Sequence, residues 1–128
     1  MPTTDHDRLQ EALGPPECLR LLAKAGIGRL AFTQRALPVI QPVCYWLRDE
    51  DVLIPARYGS PLVDAVRASV VALEADDYDE GTRTGWAVTV VGHAEVHDGD
   101  HVDVFPPSSC LIAVRVGLLL GWRTSLPM

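Results

Sequence analysis

The stretch between Ile40 and Leu62 decides which fold this chain is expected to adopt. It consists of Ile40-Gln41-Pro42-Val43-Cys44-Tyr45-Trp46-Leu47, then Arg48-Asp49-Glu50-Asp51, then Val52-Leu53-Ile54-Pro55-Ala56-Arg57, and then Tyr58-Gly59-Ser60-Pro61-Leu62. Two apolar segments on either side of an acidic turn predict two antiparallel strands. The Ser60 hydroxyl can cap a following helix, and Pro61 suits its first turn because no N–H is needed there. The stretch therefore predicts a strand, a turn, a second strand and a helix at 61–68.

Patterns on both sides of this stretch predict more strands and few helices. We expect a short helix carrying Leu9, Ala12 and Leu13, and a second helix that begins at Pro16 and ends at Gly26. Strands are predicted at 27–33, 39–47, 52–56, 70–75, 86–97, 110–115 and 118–124, the first three as an antiparallel meander. Polar loops are predicted at 76–84 and 98–109. Six or seven short strands with one inserted helix favour an antiparallel β-barrel over a βαβ sheet.

Composition excludes several classes of function. The chain has 128 residues, of which 48% are hydrophobic and 22% charged, as expected for a single folded domain spanning 1–128. A net charge of -6 with only 11 Lys and Arg argues against a nucleic-acid partner. The longest apolar run, 116–122, is too short to cross a bilayer, and no export signal precedes it, so a cytoplasmic protein without a membrane partner is expected. Cys18, Cys44 and Cys110 fit reduced core thiols better than disulfides, and only Cys44 is a functional candidate.

Five short motifs, taken in their order and spacing, resemble those of a known family. They are Glu17-Cys18-Leu19 before Gly28-Arg29-Leu30-Ala31, Pro42-Val43-x-Tyr45, Gly59-Ser60-x-Leu62, Gly85-Trp86 through Gly92, and the closing Gly121-Trp122-Arg123. The chain resembles the FMN-binding split-barrel family of pyridoxamine 5'-phosphate oxidase, in particular the small branch that contains nitroimidazole-resistance proteins. The resemblance implies a mainly β fold, a six- to seven-stranded antiparallel split β-barrel with N-terminal helices and one short inserted helix.

The same resemblance implies a flavin enzyme. It would be a homodimer with two sites at the subunit interface, where FMN passes hydride from a nicotinamide donor to a small acceptor. In the family the flavin ring edge contacts the backbone of the strand that holds Gln41, Pro42, Val43 and Cys44 here. The phosphate would lie near Ala56, Arg57, Gly59, Ser60, Pro61 and Leu62. Trp86 and Ala87, from the second subunit, would close the pocket with Trp122 and Arg123. No residue is predicted to act as an acid or a base.

The phosphate corner departs from the family pattern. Family members usually have an Arg, a Thr and a Lys where this chain has Pro55, Ala56 and Pro61. Arg57 is a candidate substitute because a guanidinium suits a phosphate, and the alternative is an arginine solvated at a strand end. The N–H groups of Leu62 and Val63 at the helix start are further candidate donors. Trp86 and Trp122 can equally be core aromatics of the barrel.

Other chemistries have weaker support. His93, Glu95 and His97 share one strand face, followed by Asp98, Asp100 and His101, but same-face neighbours are roughly 7 Å apart, and we predict no metal site. Cys44 lacks a His partner at motif spacing, and no Gly-x-Ser-x-Gly elbow occurs. Two classes therefore stay open. One is an FMN-dependent oxidoreductase, and the other is a divergent member that lost FMN and binds an apolar small molecule, acts without a cofactor or binds a deazaflavin.

Overall fold

The structure is a computed structural model that describes residues 10–97 and 109–125. Strands and helices cover most of this part of the chain. The strands are β1 (Gln10–Ala12), β2 (Ile27–Gln34), β3 (Leu37–Cys44), β4 (Trp46–Arg48), β5 (Asp51–Arg57), β6 (Val70–Asp79), β7 (Thr84–His97), β8 (Ser109–Arg115) and β9 (Leu118–Ser125). The helices are α1 (Pro15–Ala25) and α2 (Pro61–Val66). No helix in the described ranges is long and apolar enough to span a membrane.

Helix α1 follows from local signals in the sequence. Pro15 occupies the first turn, Glu17 is the acidic residue of that turn, and Gly26 ends the helix with φ 74°. A glycine adopts this left-handed conformation without the steric cost that a side chain would add. The apolar face of the helix buries Cys18, Leu21 and Leu22 against the sheet.

One antiparallel sheet contains all the strands of the described residues. Its main order is β3-β2-β6-β7-β8-β5-β4, and β9 pairs with both β7 and β1. The two ends of this order, β3 and β4, are consecutive in the chain and are separated only by Tyr45. The sheet thus curls until its ends are joined through one residue but stays unclosed by hydrogen bonds, which confirms the mainly β split barrel.

Gly92 lets β7 change its neighbour. Strand β7 pairs with β9 over 84–91 and with β8 over 94–97. A Cβ at Gly92 would lie 1.7 Å from the carbonyl oxygen of Arg115, far inside any real contact distance. Only glycine therefore permits the close approach of the β8 end at this bend.

Several predicted elements are wrong in extent or kind. Residues 10–12 form strand β1 instead of the end of a short helix, because their backbone pairs with 122–124 of β9, and the rest of that predicted helix lies outside the described residues. The predicted strand 39–47 breaks at Tyr45, whose N–H donates to the Gly26 carbonyl at 3.0 Å. The break divides one predicted strand into two, and β1 adds another. The described residues therefore contain nine strands, two more than the seven predicted.

The predicted meander of three strands holds only in part. The predicted strand 39–47 pairs with β2 through β3 and with β5 through β4, but no ladder joins β3 to β5, whose other neighbour is β8. The loop predicted at 76–84 is wrong over 76–79 and at Thr84, because residues 76–79 extend β6 and pair with 84–87 of β7. Helix α2 ends at Val66, two residues earlier than predicted. The loop predicted at 98–109 lies outside the described residues except for its last position, Ser109, which begins β8.

Candidate functional site

A cleft of about 490 Å³ lies between β3, the end of β5 and the start of α2, and we call it the β3–α2 cleft. It brings together nine of the fourteen predicted site residues, namely Gln41, Pro42, Val43, Cys44, Ala56, Arg57, Ser60, Pro61 and Leu62. Phe32, Gln34, Val39 and Pro55 complete its lining. Sequence reasoning did not identify Phe32, Gln34 and Val39 as site residues, although the pairing of β2 with β3 in a hairpin places them beside 41–44.

Strand β3 presents backbone groups to the cleft. It ends the main order of the sheet, so among the described residues only one of its edges is paired with a strand. The other edge offers N–H and C=O groups, and Pro38 and Pro42 interrupt the N–H row, as is usual on edge strands. Val43 is nearly buried, while Gln41 and Cys44 are exposed. The exposure of Cys44 contradicts its assignment to the core and leaves its thiol facing the cleft.

The start of α2 forms the opposite wall. Ser60 caps the helix, and its Oγ accepts a hydrogen bond from the Val63 N–H at 3.3 Å. One of the two amides predicted to bind a phosphate is therefore committed to the cap, and the Leu62 N–H is the other. Arg57 is exposed, lines the same cleft and has no ion-pair partner within the described part of the chain. It is the cation nearest in sequence to the Ser60 cap.

A second cleft, of about 510 Å³, adjoins the first, and we call it the hairpin cleft. The two clefts share Gln34 and Pro61. The remaining residues of the hairpin cleft are Thr33, Arg35, Gly59, Asp64 and Ala65. Arg35 was not predicted as a site residue. The signal that could have found it is the β2–β3 hairpin. Its two-residue turn at 35–36 reaches the residues where β5 ends and α2 begins, 56–62, which we call the α2 corner.

Trp86 lies in a third cleft, of about 550 Å³, with Lys24, Arg29, Pro42 and Asp76. Pro42 also lines the β3–α2 cleft. Beside the third cleft, the Arg29 guanidinium lies 3.0 Å from Glu74 and 2.9 Å from Asp76. Burial, with Asp76 as a close neighbour, raises the pKa of Glu74 despite the opposing effect of Arg29.

The last predicted site residues lie on β7 and β9. Ala87 pairs with Trp122, and Trp86 pairs with Arg123. Trp122 is 42% exposed, which contradicts the alternative that it is a core aromatic, whereas Trp86 is half-buried against the core. Within one chain, Ala87, Trp122 and Arg123 do not line the β3–α2 cleft.

The polar face of β7 is exposed. His93, Glu95 and His97 line a small cleft with Asp51 and Arg115, and His97 Nε2 lies 3.5 Å from Glu95. Over residues 10–97 and 109–125, no group of three or more His, Cys, Asp or Glu side chains is arranged to hold a metal ion. Asp98, Asp100 and His101 lie outside the described residues.

Comparison with known proteins decides the family. The family model described as pyridoxamine 5'-phosphate oxidase matches residues 15–103, well over half of the chain. The chain belongs to the pyridoxamine 5'-phosphate oxidase family.

One sequence relative and two solved structures show how far the similarity of this chain extends. An uncharacterized protein from Mycobacterium tuberculosis is 46% identical over 92 residues, which are 67% of this chain and 60% of that protein. The match therefore spans less than two thirds of the curated relative. An FAD binding protein from Mycobacterium smegmatis is 26% identical, with 90% of this chain and 98% of that chain covered and a TM-score of 0.77. An FAD-binding protein from Mesorhizobium loti has the same TM-score at 21% identity, covering 92% and 98% of the two chains, which shows the common fold.

Two arginines are the cations that line the two adjoining clefts of this family member. The chain has proline at 55 and 61, and the cations beside the two adjoining clefts are Arg57 and Arg35. The corner therefore has cations from a strand end and from a hairpin turn.

Proposed function

We propose that this protein binds a flavin in the β3–α2 cleft and acts, as an FMN-loaded homodimer, as an oxidoreductase. The observation that supports the proposal is the cleft itself, because folding brings the edge strand 41–44 within reach of the α2 corner 56–62. The cleft volume lies in the range of about 300–1,000 Å³ usual for cofactor sites. The FAD binding protein from Mycobacterium smegmatis, at 26% identity over 90% of this chain, adds support for a flavin.

The residues of the cleft suit the parts of a flavin. A planar ring with polar edges fits apolar walls such as Phe32, Val39 and Leu62, beside a strand edge that offers backbone donors and acceptors. Arg57 and the Leu62 N–H would face the phosphate, with Arg57 providing the formal charge. A bound flavin supplies the hydride chemistry. The protein would bind and orient it and would exclude water, and no residue is assigned to proton transfer.

A second candidate follows from the phosphate corner. Pro55 and Pro61 stand where the family usually has cations, and the Val63 N–H already donates to Ser60. The corner therefore makes fewer charge-assisted contacts with the FMN dianion than the family pattern implies. Each such contact contributes roughly 1.5–3 kcal/mol to the binding free energy. The alternative is that the cleft binds a deazaflavin or an apolar small molecule, and that the protein has lost FMN.

A homodimer is part of the proposal because one chain leaves an apolar row uncovered. Opposed residues across five strands, Leu118, Val91, Ala72, Ala31 and Ile40, lie in register on the outer face of the sheet. Leu118 and Ile40 are 51% and 71% exposed. A second copy seated on this face would cover the row, and the family resemblance implies that its Trp122 strand would contribute to the first copy's site.

The test is a flavin titration of the purified protein. We expect FMN to bind with micromolar or tighter affinity, and we expect the fluorescence of the flavin to be quenched when it binds. Arg57→Ala should weaken FMN binding about tenfold, because it removes one charge-assisted contact. Arg48→Ala, an exposed arginine outside both clefts, is the matched control and should leave the affinity unchanged.

Two outcomes separate the candidates. If neither FMN nor FAD binds, and the protein carries no flavin absorbance, the flavin proposal is wrong and the apolar-ligand alternative stands. If FMN binds and Arg57→Ala matches Arg48→Ala, the cleft holds the flavin but Arg57 does not bind the phosphate. Reduction of the bound flavin by a nicotinamide dinucleotide, followed by its absorbance, tests the oxidoreductase part.

A further inference from the structure

Three charged side chains form a cluster beside the apolar row on the outer face of the sheet. The Arg29 guanidinium lies 3.0 Å from the Glu74 carboxylate and 2.9 Å from the Asp76 carboxylate. Arg29 and Glu74 are opposed in the ladder, two residues along their strands from Ala31 and Ala72 of the apolar row, so they lie on the same face as that row. Because one cation faces two carboxylates, the cluster is negative when both carboxylates are ionised.

Exposed apolar side chains surround this cluster. They belong to the apolar row, to β9 and to the start of β2, and they are Leu118, Ile40, Leu120, Trp122 and Ile27. The side chains of Arg29, Glu74 and Asp76 are themselves 53%, 34% and 41% exposed. A second copy that covers the apolar side chains would therefore cover the cluster as well and remove its exposed atoms from water.

The other strands bring no cation to Glu74. On β7 its partner is Thr89, which does not titrate, and the nearest titratable residue on that face of β7 is His93, opposite Val70. On β3 the titratable group of this face is the Cys44 thiol. The strands beside the cluster therefore leave Arg29 as its cation within the described residues.

Two more titratable groups lie near the cluster on the side of α1. Lys24 lines the third cleft with Asp76 but forms no ion pair with it. Tyr45 donates its hydroxyl to the Leu22 carbonyl. Neither group compensates the second carboxylate.

The charge of the cluster opposes association through this face. A closed dimer has a two-fold interface, so the cluster would occur in it twice. An ionised carboxylate is costly to remove from water without a cation of its own, whereas a protonated one is neutral. Burial, with Asp76 close by, already raises the pKa of Glu74 in the single chain, and further burial acts in the same direction. A proton on Glu74 would leave Arg29 and Asp76 as a neutral pair.

We infer that dimerisation through the outer face takes up a proton at Glu74 of each copy, so that the dimer becomes tighter as the pH falls. The inference rests on the proposed homodimer and adds its regulation by pH. Since Glu74 binds its proton more strongly in the dimer than in the single chain, the dimer weakens as the pH rises through the interval between the two pKa values. A flavin site shared by two copies would then be completed more readily at lower pH.

The experiment measures the dissociation constant of the dimer of the full chain by analytical ultracentrifugation. We expect this constant to rise about tenfold or more between about pH 5 and about pH 8, with a limiting slope of about tenfold per pH unit for each proton taken up. Glu74→Gln should remove most of the dependence and should dimerise more tightly than the wild type at the upper pH. Asp76→Asn, which leaves one carboxylate for one cation, should also flatten the dependence.

Two control variants separate the sources of a pH effect. Glu80→Gln, in the exposed β6–β7 turn, and His93→Gln, on the same face of β7, should both keep the wild-type dependence. A dissociation constant that is the same at every pH overturns the inference alone, as does a dependence that is lost in His93→Gln and kept in Glu74→Gln. A chain that stays monomeric at every pH overturns the proposed homodimer and the inference with it. Failure of FMN to bind, measured separately by titration, overturns the flavin part of the proposed function and leaves this inference standing.

Discussion

Tyr45 is the residue at which the two ends of the sheet meet. Its side chain is buried, and its hydroxyl donates to the Leu22 carbonyl of α1 at 2.5 Å. Burial raises its pKa to about 12. One side chain therefore ties the strand break between β3 and β4 to the helix, and the neighbouring Cys44 faces the cleft as the alternation of a strand requires.

Removing the Tyr45 hydroxyl should destabilise the protein. We expect Tyr45→Phe to lower the free energy of unfolding by about 1–2 kcal/mol at pH 7, because a buried carbonyl loses its partner. Above about pH 10 the wild type should lose stability as pH rises, since the unfolded tyrosine ionises before the folded one, and the variant should lack this loss. Urea unfolding at pH 7 and pH 11 measures both, with Tyr78→Phe, at an exposed tyrosine, as the control. Equal stability of the two variants would contradict the role of the hydroxyl.

Glu74 should affect the pH dependence of the unfolding free energy in the opposite direction from a typical ion-paired carboxylate. Its pKa is raised, so the folded state holds the proton more strongly than the unfolded chain. The contribution of Glu74 to stability is therefore greatest below its unfolded pKa of about 4.3 and falls as pH rises through the folded pKa.

The test compares unfolding free energies with and without the carboxyl group. Glu74→Gln should gain stability relative to wild type as pH rises from about 4 to about 7. Glu80→Gln, in the exposed β6–β7 turn, is the matched control. A wild-type advantage that grows with pH would show that the pairing of Glu74 with Arg29 outweighs its burial.

At the scale of elements, the bend of β7 holds the barrel together. Gly92 marks where β7 leaves β9 and joins β8, and Gly121 allows α1 to pack on β9 because a Cβ there would lie 2.3 Å from the Cys18 sulfur. Two glycines therefore permit the approaches that let one sheet curl around one core.

A side chain at the β7 bend should be poorly tolerated. We expect Gly92→Ala to destabilise the protein by about 3 kcal/mol, because the Arg115 carbonyl must move and ladder bonds of β8 weaken with it. Gly14→Ala is the control, since the nearest neighbour of its Cβ would be the Pro16 Cδ at 3.9 Å, and it should cost at most about 1 kcal/mol, because Gly14 is the N-cap of α1 and alanine is a poor capping residue. Thermal unfolding of the two variants measures the difference, and equal midpoints would contradict the steric account of the bend.

At the scale of the whole molecule, the apolar row on the outer face of the sheet is exposed to solvent in a single chain. Leu120 and Trp122 adjoin the row on β9 and are each 42% exposed. Large apolar side chains in contiguous register are uncommon on a free surface and usually mark an interface.

We therefore expect the protein to have twice the mass of the chain in solution at micromolar concentration. Leu120→Asp should shift it to a monomer, because a buried unpaired carboxylate opposes association. Leu37→Asp, at an exposed leucine in the β2–β3 hairpin outside the row, should leave the dimer intact. Light scattering after size-exclusion chromatography measures the masses, and a monomeric wild type would contradict the shared-site arrangement.

The predictable part of this protein is the part that local patterns determine. The Ser60 cap, the Gly26 terminator of α1 and the alternation along β7 follow from residues within a few positions of each other, and the structure confirms them. The family resemblance is confirmed as well. By contrast, residues 76–79, three of which are aspartates, predict a loop but form a strand, because their partners 84–87 satisfy the backbone hydrogen bonds.

The sequence by itself determined the element types outside 10–12 and 76–79, the split-barrel class and nine residues that share one cleft. Only the tertiary structure decided which strands are neighbours, that Ser60 commits the Val63 N–H, and that Arg35 reaches the α2 corner. The physical reason is the separation along the chain over which each interaction acts. Capping and alternation act between residues close in the chain, whereas the register of distant strands depends on the whole core, and the cations of this site are placed by that register.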